Sequence, residues 1–420
     1  MKHKIRKLIF CMVVGLLIIS CIPEKERQLH HNASIQQIGI NDSVIIIDLD
    51  QTQSDEAYLV SSLFKKVTPI ILETCDEALL LDTQKIEIYE DYIFVFDSAM
   101  AKCLFLFDKK GNFIRQISRT GQGPGEYLRL SDFTVDKTNG LVYILDDALQ
   151  RISAFKISDG SFVNSVNLQN DNGGSFYLQC VDGKMYADMN LVSNSREDYM
   201  LREIDINTGK QLGGWLRNEL YNKGFSYKTS GHIVSSNPFY RLPYSGVKFA
   251  GFFSDTIISI DKTSIKPFLV INSNEFVSRE YLESLKIDGN IDPFSLFRLD
   301  GISRIEILFE SRDLICFTYN NSYFIRTVIY NKSTNNYENV ASLDDDLVYK
   351  IDLEKHQTAQ ILNVKYSDTN GIYTSADGGY LDKLREIAKD NGLNLPEGDV
   401  EKLKGLTEDS NPVLFYYEYK

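Results

Sequence analysis

Histidine is scarce in this chain of 420 residues, which contains only five. Beyond the N-terminal apolar stretch they are His30, His31, His232 and His356. His30 and His31 fall in a polar segment that precedes the first predicted strand, so the folded part cannot supply a catalytic centre of three histidine ligands. His232 and His356 have no nucleophile-elbow motif beside them, and we interpret each as a surface loop residue.

Cysteines are also few and widely spaced. There are six in total. Two lie in the N-terminal segment, and the other four are Cys75, Cys103, Cys180 and Cys316, with no CxxC pair among them. This spacing argues against a zinc site and against a disulfide framework. We predict that the four are small buried hydrophobic residues.

Beyond its N-terminal segment the chain lacks any Lys/Arg-rich run, and the formal net charge of the whole chain is −13 at pH 7. An acidic surface repels a phosphate backbone, so the sequence predicts no nucleic-acid partner. Asp344-Asp345-Asp346 is a candidate calcium corner, but it lacks EF-hand spacing and we interpret it as a solvated turn. No carboxylate spacing singles out a glycosidase pair. We therefore predict no cofactor, no metal site and no catalytic residue.

The N-terminal apolar run is too short for a membrane span. It covers Leu8–Ile19, about a dozen residues, whereas a transmembrane helix needs roughly 20. A basic segment comes before it, containing Lys2, Lys4, Arg6 and Lys7. A positive segment followed by a short apolar run is typical of a secretory signal.

The residues that follow, Ile18-Ile19-Ser20-Cys21, resemble a bacterial lipobox, in which the cysteine thiol carries a diacylglyceryl group. We expect residues 1–20 to be a lipoprotein signal peptide and Cys21 to be lipidated and anchored in a lipid membrane. Residues 21–41 are then a flexible tether. Ile22, rather than Asp, follows the cysteine, which by resemblance to known lipoprotein sorting favours the outer membrane, on its periplasmic or its cell-surface face. The alternative is an uncleaved anchor in which Cys21 is incidental.

One sequence pattern occurs twice between Lys85 and Leu168, at an interval of 49 residues. Ile93–Asp97 recurs as Val142–Asp146, and the turn glycine Gly111 recurs as Gly160 and again as Gly209. A fixed period of roughly 40–50 residues built from short strands indicates β-propeller blades. Further strand groups with Asn, Asp and Gly turns follow, so the fold class predicted is all-β, a propeller of six blades over residues 42–420. Five or seven blades are the alternatives.

Two helices interrupt the predicted strands, one at about 274–286 with Asn274 as its cap, and one at about 380–391. We interpret residues 218–246 as a long connection between two groups of predicted strands. A closed ring needs both chain ends in one blade, so we expect Val44–Ile47 or Ile70–Leu72 to pair with Val413–Tyr419.

The segment from Gly121 to Ile152 resembles an NHL repeat. The likeness lies in the loop Gly121–Tyr127, the strands Phe133–Asp136 and Val142–Asp146, and the dipeptide Arg151-Ile152. The whole mature chain is similar to the six-bladed β-propeller lipoproteins of Bacteroides-type bacteria. That resemblance implies a propeller fold and a location in the cell envelope.

The loop Gly121–Tyr127 does not fit a phosphate-binding GxGxxG, because strands are predicted on both sides of it where that motif needs a helix after it. We expect its glycines to allow a tight crossing between blades with positive φ. Propeller geometry then places it near the mouth of the central channel, beside Asp97–Met100 and Asp146–Gln150. The ligand-binding residues predicted there are Arg119, Gln122, Glu126, Tyr127, Asp146 and Arg151. Asp97, Asp146 and Arg151 have an alternative role in turn and blade-to-blade hydrogen bonds.

Three functions fit these observations. The first is a membrane-anchored binding or scaffolding module for a protein or a glycan at the cell envelope. The second is a lyase or hydrolase that acts at the mouth of the channel. The third is a structural member of an envelope assembly. A polar, concave mouth would favour a small ligand, whereas an apolar face would favour a protein partner.

Overall fold

The computed structural model describes residues 44–51, 53–169, 174–189, 199–217, 237–287, 290–291, 295, 299–321, 324–350 and 362–420. The predicted signal peptide, Cys21, the tether, His232 and His356 lie outside these residues. No helix in the described ranges is both long enough and apolar enough to cross a membrane.

Short strands make up most of the described chain. In chain order they are β1 (Ile45–Asp48), β2 (Ala57–Leu59), β3 (Phe64–Ile71), β4 (Lys85–Tyr89), β5 (Tyr92–Asp97), β6 (Cys103–Asp108), β7 (Phe113–Ile117), β8 (Leu130–Asp136), β9 (Leu141–Asp146), β10 (Arg151–Lys156), β11 (Phe162–Asn167), β12 (Leu178–Val181), β13 (Lys184–Asp188), β14 (Tyr199–Ile204), β15 (Gln211–Arg217), β16 (Phe239–Leu242), β17 (Gly246–Phe249), β18 (Thr256–Ile260), β19 (Ile265–Asn272), β20 (Lys286–Ile287), β21 (Asn290–Ile291), β22 (Ile305–Glu310), β23 (Leu314–Asn321), β24 (Phe324–Asn331), β25 (Asn336–Val340), β26 (Ser342–Asp344), β27 (Val364–Ser367), β28 (Gly371–Ala376) and β29 (Val413–Tyr419). The helices are α1 (Arg279–Ser284), α2 (Gly379–Lys389) and α3 (Glu397–Lys404), with a 3-10 turn at Val60–Ser62.

These strands form the six blades of a β-propeller, which confirms the predicted fold class. From the innermost strand outward, blade 1 is β4–β7, blade 2 is β8–β11, blade 3 is β12–β15, blade 4 is β16–β19 with β1 added outside, blade 5 is β22–β25, and blade 6 is β27, β28, β29 and β3. The small sheets β2–β26 and β20–β21 lie outside the blades. The innermost strands contact one another around the axis, for example β4 with β8, β8 with β12, and β27 with β4.

The core lies between neighbouring blades. Six apolar clusters occupy the six blade-to-blade interfaces, and a smaller one lies under α1. Phe94 of blade 1 packs on Phe133 of blade 2, with ring centroids 6.2 Å apart. Residues 93–97 are all buried because both faces of a middle strand are covered by adjacent blades, whereas the outer strand β11 is largely exposed. Stacking blades in a ring therefore buries surfaces that a single blade leaves open.

The ring closes in blade 6, where an N-terminal strand pairs with Val413–Tyr419, as predicted. Strand β3 pairs antiparallel with β29, with Ile70 opposite Leu414. Of the two N-terminal segments proposed, Ile70–Leu72 is the one that makes this pairing, while β1 pairs parallel with β19 in blade 4. Pro69 lies in β3, the outermost strand of the blade. Proline is tolerated there because the open edge of that strand has no neighbouring strand that needs its N–H.

The inserted helix is shorter than predicted. Helix α1 covers Arg279–Ser284 instead of 274–286, and Ser278 is its cap because its Oγ accepts a hydrogen bond from the backbone N–H of Tyr281. Asn274 has a different role, since its side-chain nitrogen donates to Asp50 at 2.9 Å. Leu282 is buried in the cluster beside Phe253, so the helix packs on the propeller.

Two further elements differ from the prediction. Phe239–Leu242, assigned from sequence to the connection 218–246, is the innermost strand of blade 4. It was missed because it has only four residues and carries Arg241 in its centre. Helix α3 was also missed, while α2 begins and ends within two residues of its predicted bounds.

Candidate functional site

The central channel contains a cavity of about 520 Å³. Residues from the innermost strand of every blade line it, together with residues just before those strands, such as Gln84, Asn237 and Asn363. The cavity therefore lies toward the end of the channel at which the innermost strands begin, which we call the mouth. Its lining is rich in charged side chains: Lys85, Glu87, Asp132, Arg241, Arg304, Glu306 and Lys365.

An ion pair crosses the channel below the mouth. Arg241 belongs to blade 4 and Glu87 to blade 1, which are opposite blades of the ring, and Arg241 Nε lies 3.9 Å from Glu87 Oε2. The guanidinium also donates a 3.0 Å hydrogen bond to the carbonyl of Cys180 in blade 3. Arg241 thus ties three blades together and forms part of the floor of the cavity.

A second contact narrows the channel beneath that floor. Lys137, in the turn of blade 2, donates a 3.0 Å hydrogen bond to the hydroxyl of Tyr366 in blade 6. On the far side, the hydroxyl of Tyr244 donates to the carbonyl of Thr369 at 3.2 Å. Burial lowers the pKa of Lys137 and raises the pKa of Tyr366. Long polar side chains therefore reach across the channel at the end where the innermost strands finish.

Lys85 and Asp132 form the best-paired ions of the wall. Lys85 Nζ lies 2.9 Å from Asp132 Oδ1 and also donates to the carbonyl of Phe133 at 2.6 Å. The other oxygen of Asp132 accepts the backbone N–H of Leu178 at 2.8 Å. Burial raises the pKa of Asp132, although the ammonium of Lys85 acts in the opposite direction. This pair links blades 1, 2 and 3 and is largely satisfied within the protein.

Glu87 is not satisfied in this way. Its side chain is only 3% exposed, yet neither of its carboxylate oxygens accepts a hydrogen bond within the described part of the chain. Its ion pairs there are with Lys85 and Arg241, each at 3.9 Å. The Nε of Arg241 likewise donates no hydrogen bond to a described residue. Buried polar groups are nearly always hydrogen-bonded, so a carboxylate and a guanidinium N–H that lack partners mark a place where a ligand or water binds.

Aromatic rings complete the wall. Tyr177, Phe239, Tyr240 and Tyr366 all line the cavity. A concave site with a few convergent polar groups among aromatic rings is the usual form of a small-molecule site. Hydroxyl groups could donate to Glu87 and accept from Arg241, while the faces of the rings offer apolar contact.

The ligand-binding residues predicted from sequence lie elsewhere on the mouth side. None of the six lines the cavity. Asp146 ends strand β9, and its carboxylate accepts backbone N–H groups from Leu128 at 2.7 Å and from Leu149 at 3.1 Å. It thereby ties the loop that enters blade 2 to the turn within it. Asp97 does the same in blade 1 through Leu81 and Met100.

The other predicted residues hold the Gly121–Tyr127 loop. Glu126 pairs with Arg119 at 2.7 Å and accepts the N–H of Gly123 at 2.8 Å. A Cβ on Gly121 would lie 2.1 Å from that carboxylate, so a larger residue there would displace the side chain of Glu126. Positive φ is confined within this loop to Gly125.

The remaining three predicted ligand-binding residues are Tyr127, Arg151 and Gln122. Tyr127 is buried and donates to the carbonyl of Lys102 at 2.9 Å, Arg151 donates to the carbonyl of Glu126, and Gln122 is exposed. Ligand binding by these six residues stays a prediction.

Two minor predictions are partly corrected. Cys180 and Cys316 are buried as expected, whereas Cys75 and Cys103 are only half-buried, and all four are free thiols. Asp345 is buried rather than solvated, because its carboxylate accepts hydrogen bonds from Val348 and Tyr417. In the described ranges, no group of three or more His, Cys, Asp or Glu side chains is arranged to hold a metal ion.

Sequence reasoning missed the charged residues that line the cavity. Their signal was a charged side chain inside an otherwise apolar innermost strand. Lys85-Ile86-Glu87-Ile88 opens blade 1, Phe239-Tyr240-Arg241-Leu242 opens blade 4, and Val364-Lys365-Tyr366 opens blade 6. A charge at the start of a blade points toward the channel, and comparing the first strands of all blades could have found these residues.

Comparisons with known proteins agree with this architecture. The family described as a domain of unknown function, DUF4934, matches residues 44–418. No curated protein matches the chain. The chain is similar to a crystal structure from Bacteroides fragilis whose protein is described as exported, with 20% identity, a TM-score of 0.70, and coverage of 89% of this chain and 99% of that one. It is also similar to a DUF4221 family member from Bacteroides vulgatus, with 13% identity, a TM-score of 0.50, and coverage of 85% and 97%. At these identities the likeness shows the fold.

Proposed function

We propose that this chain, which belongs to the DUF4934 family, is a lipoprotein of the bacterial outer membrane whose central cavity binds a glycan. The lipobox-like Ile18–Cys21 supports the anchor. The relative from Bacteroides fragilis, described as exported, supports an address in the cell envelope.

One observation carries the proposal of a glycan. Glu87 and Arg241 meet at the base of the cavity, and both carboxylate oxygens and the Nε are without hydrogen bonds in the described chain. A ligand that fills this place must offer donors and acceptors side by side. Sugar hydroxyls offer both, and the C–H faces of a sugar ring pack on aromatic side chains such as Tyr240 and Tyr366, which line the same cavity.

The test is direct binding to the full-length chain purified in detergent. Calorimetric titration with a panel of neutral and acidic oligosaccharides should find at least one ligand. Glu87→Gln keeps the shape of the side chain and removes its charge, and should weaken that binding by about tenfold or more. The matched control is Glu408→Gln, because Glu408 is exposed in a loop after α3. A panel without any binding sugar, or equal binding by the Glu87→Gln protein, would overturn the proposal.

A protein partner is the second candidate, and a different observation favours it. Large apolar side chains are exposed around the mouth, including Met100 at 62% and Phe324 at 74%, with Tyr380 on the rim of the cavity. Cross-linking of the anchored protein in its own host, followed by mass spectrometry, should then capture a partner that Phe324→Ser loses. Leu212→Ser is the control, because Leu212 is equally apolar and exposed but lies on the outermost strand of blade 3. Capture that both variants retain equally would exclude the mouth as the contact.

A further inference from the structure

The charges of the cavity wall do not cancel. Salt bridges join Lys85 to Asp132, Arg241 to Glu87, and Arg304 to Glu306. Lys365, in the innermost strand of blade 6, is the cation left over among the lining residues.

Lys365 is partly buried, and its ammonium has no hydrogen bond or ion pair within the described ranges. Two carboxylates, Asp377 and Asp82, act on it from beyond ion-pair distance, and each also accepts hydrogen bonds from other residues. Asp377 accepts from Thr83 and Ser375, and Asp82 accepts from Ser98. Burial lowers the pKa of Lys365 even though Asp377 and Asp82 oppose that change. The ammonium has therefore lost water without gaining a close counter-ion.

We propose that the ligand is an acidic glycan, whose carboxylate pairs with Lys365 while its hydroxyl groups bind Glu87 and Arg241. This inference rests on the proposed function. Among the described lining residues, Lys365 is the one cation without an ion pair, which matches the single negative charge of a uronic acid, whereas a phosphate dianion would need further cations. The partly buried position strengthens the pairing, because the wall of the cavity screens it less than bulk water would.

The test compares uronic-acid oligosaccharides with their uncharged counterparts. The full-length chain in detergent is titrated with fragments of oligogalacturonate, alginate and hyaluronate, and with the carboxyl-reduced form of each. We expect at least one acidic fragment to bind about tenfold more tightly than its reduced form, with a preference that shrinks at high salt. Lys365→Gln should abolish the preference, because it removes the charge that distinguishes the acidic form from the reduced form. Lys262→Gln removes the same charge from an exposed turn between β18 and β19 and should change nothing.

The outcomes separate the two proposals. Equal binding of acidic and reduced fragments, or a preference that survives Lys365→Gln, would overturn the acidic ligand and leave glycan binding standing. Absence of binding by every fragment, acidic or reduced, would overturn both.

Discussion

The hydroxyl of Tyr417 donates a 2.5 Å hydrogen bond to Oδ2 of Asp345, and so joins the last strand of the chain to the segment that follows blade 5. Both residues are buried. Oδ1 of Asp345 accepts the backbone N–H of Val348 at 3.1 Å. Burial raises the pKa of Asp345 from 3.8 to about 6, although both hydrogen bonds act to lower it. The carboxyl group is thus a titrating component of the seam that closes the ring.

We expect the stability contributed by Asp345 to fall as the pH rises through its folded-state pKa. Between about pH 4 and pH 6 the folded protein holds a proton that the unfolded chain has released, so the contribution is full below this window and lost above it. Asp345→Asn removes the titration. The free energy of unfolding of the natural protein minus that of the variant should decrease by on the order of 2–3 kcal/mol from pH 4 to pH 7.

Urea unfolding at several pH values measures this difference. Asp409→Asn, in an exposed loop, is the control and should show no such trend. A difference for Asp345→Asn that is the same at pH 4 and pH 7 would contradict the assignment.

The glycine repeated at the 49-residue interval has a packing role that substitution can reveal. A Cβ on Gly209 would lie 1.9 Å from the backbone oxygen of Asn167, which cannot move aside as a flexible side chain could. Gly140 has a similar positive φ but open space around it. Gly140→Ala should cost about 1–2 kcal/mol through backbone strain alone. Gly209→Ala should cost about 2 kcal/mol more, because it also separates blade 3 from blade 2. Equal losses in thermal or urea unfolding would show that the close approach carries no energy.

The four propeller cysteines should differ in their reactivity toward iodoacetamide. Cys316 and Cys180 are buried, and burial raises the pKa of both thiols, to about 12 for Cys180. The thiolate is the reactive form, so both should resist alkylation at pH 8 in the folded protein and react after unfolding. Cys75, which is half-buried, should react first. Mass spectrometry of the native protein would refute this order if Cys316 were labelled together with Cys75.

We expect lipidation to depend on the thiol of Cys21. Cys21→Ser should leave an unlipidated precursor that incorporates no label when the host is grown with radioactive palmitate, because serine cannot form the thioether. Cys75→Ser removes a thiol from the propeller and should leave labelling intact. Label that persists in the Cys21→Ser protein would show that the N-terminal segment anchors the chain by other means.

The parts of the fold that sequence predicted are those where the blade pattern is regular. Ile93–Asp97 and Val142–Asp146 were recognisable because both faces of these strands are buried, which demands an apolar run that ends at a turn aspartate. The prediction of blade 4 lacked its first strand because that strand contains Arg241. A charged residue at this position is typical of a loop, and the sequence alone does not show that its side chain lies in a channel. The beginning of α1 was misplaced by four residues because Asn274 and Ser278 are both acceptable caps, and only the tertiary contact of Asn274 with Asp50 decides between them.

The candidate site was harder to predict than the fold. The loop residues chosen from sequence were conspicuous through their glycines and charges, yet Asp146 and Glu126 use their oxygens to hold backbone N–H groups of their own loops. Glu87 and Arg241 are far apart in the sequence and meet only because blades 1 and 4 face each other across the axis. A local sequence pattern cannot predict the contact between Glu87 and Arg241, because this contact forms only when the ring of blades closes.

Closure of the ring through β3 and β29 also has a consequence for how the protein folds during its synthesis. Strand β3 leaves the ribosome long before its partner β29, which covers its edge. Until Val413–Tyr419 arrive, β3 has a free edge and blade 6 cannot form. Free edges invite pairing with other chains, and long-range pairing folds slowly. A nascent or half-exported chain must therefore be kept from misassociating until β29 is available, because the ring cannot close before then.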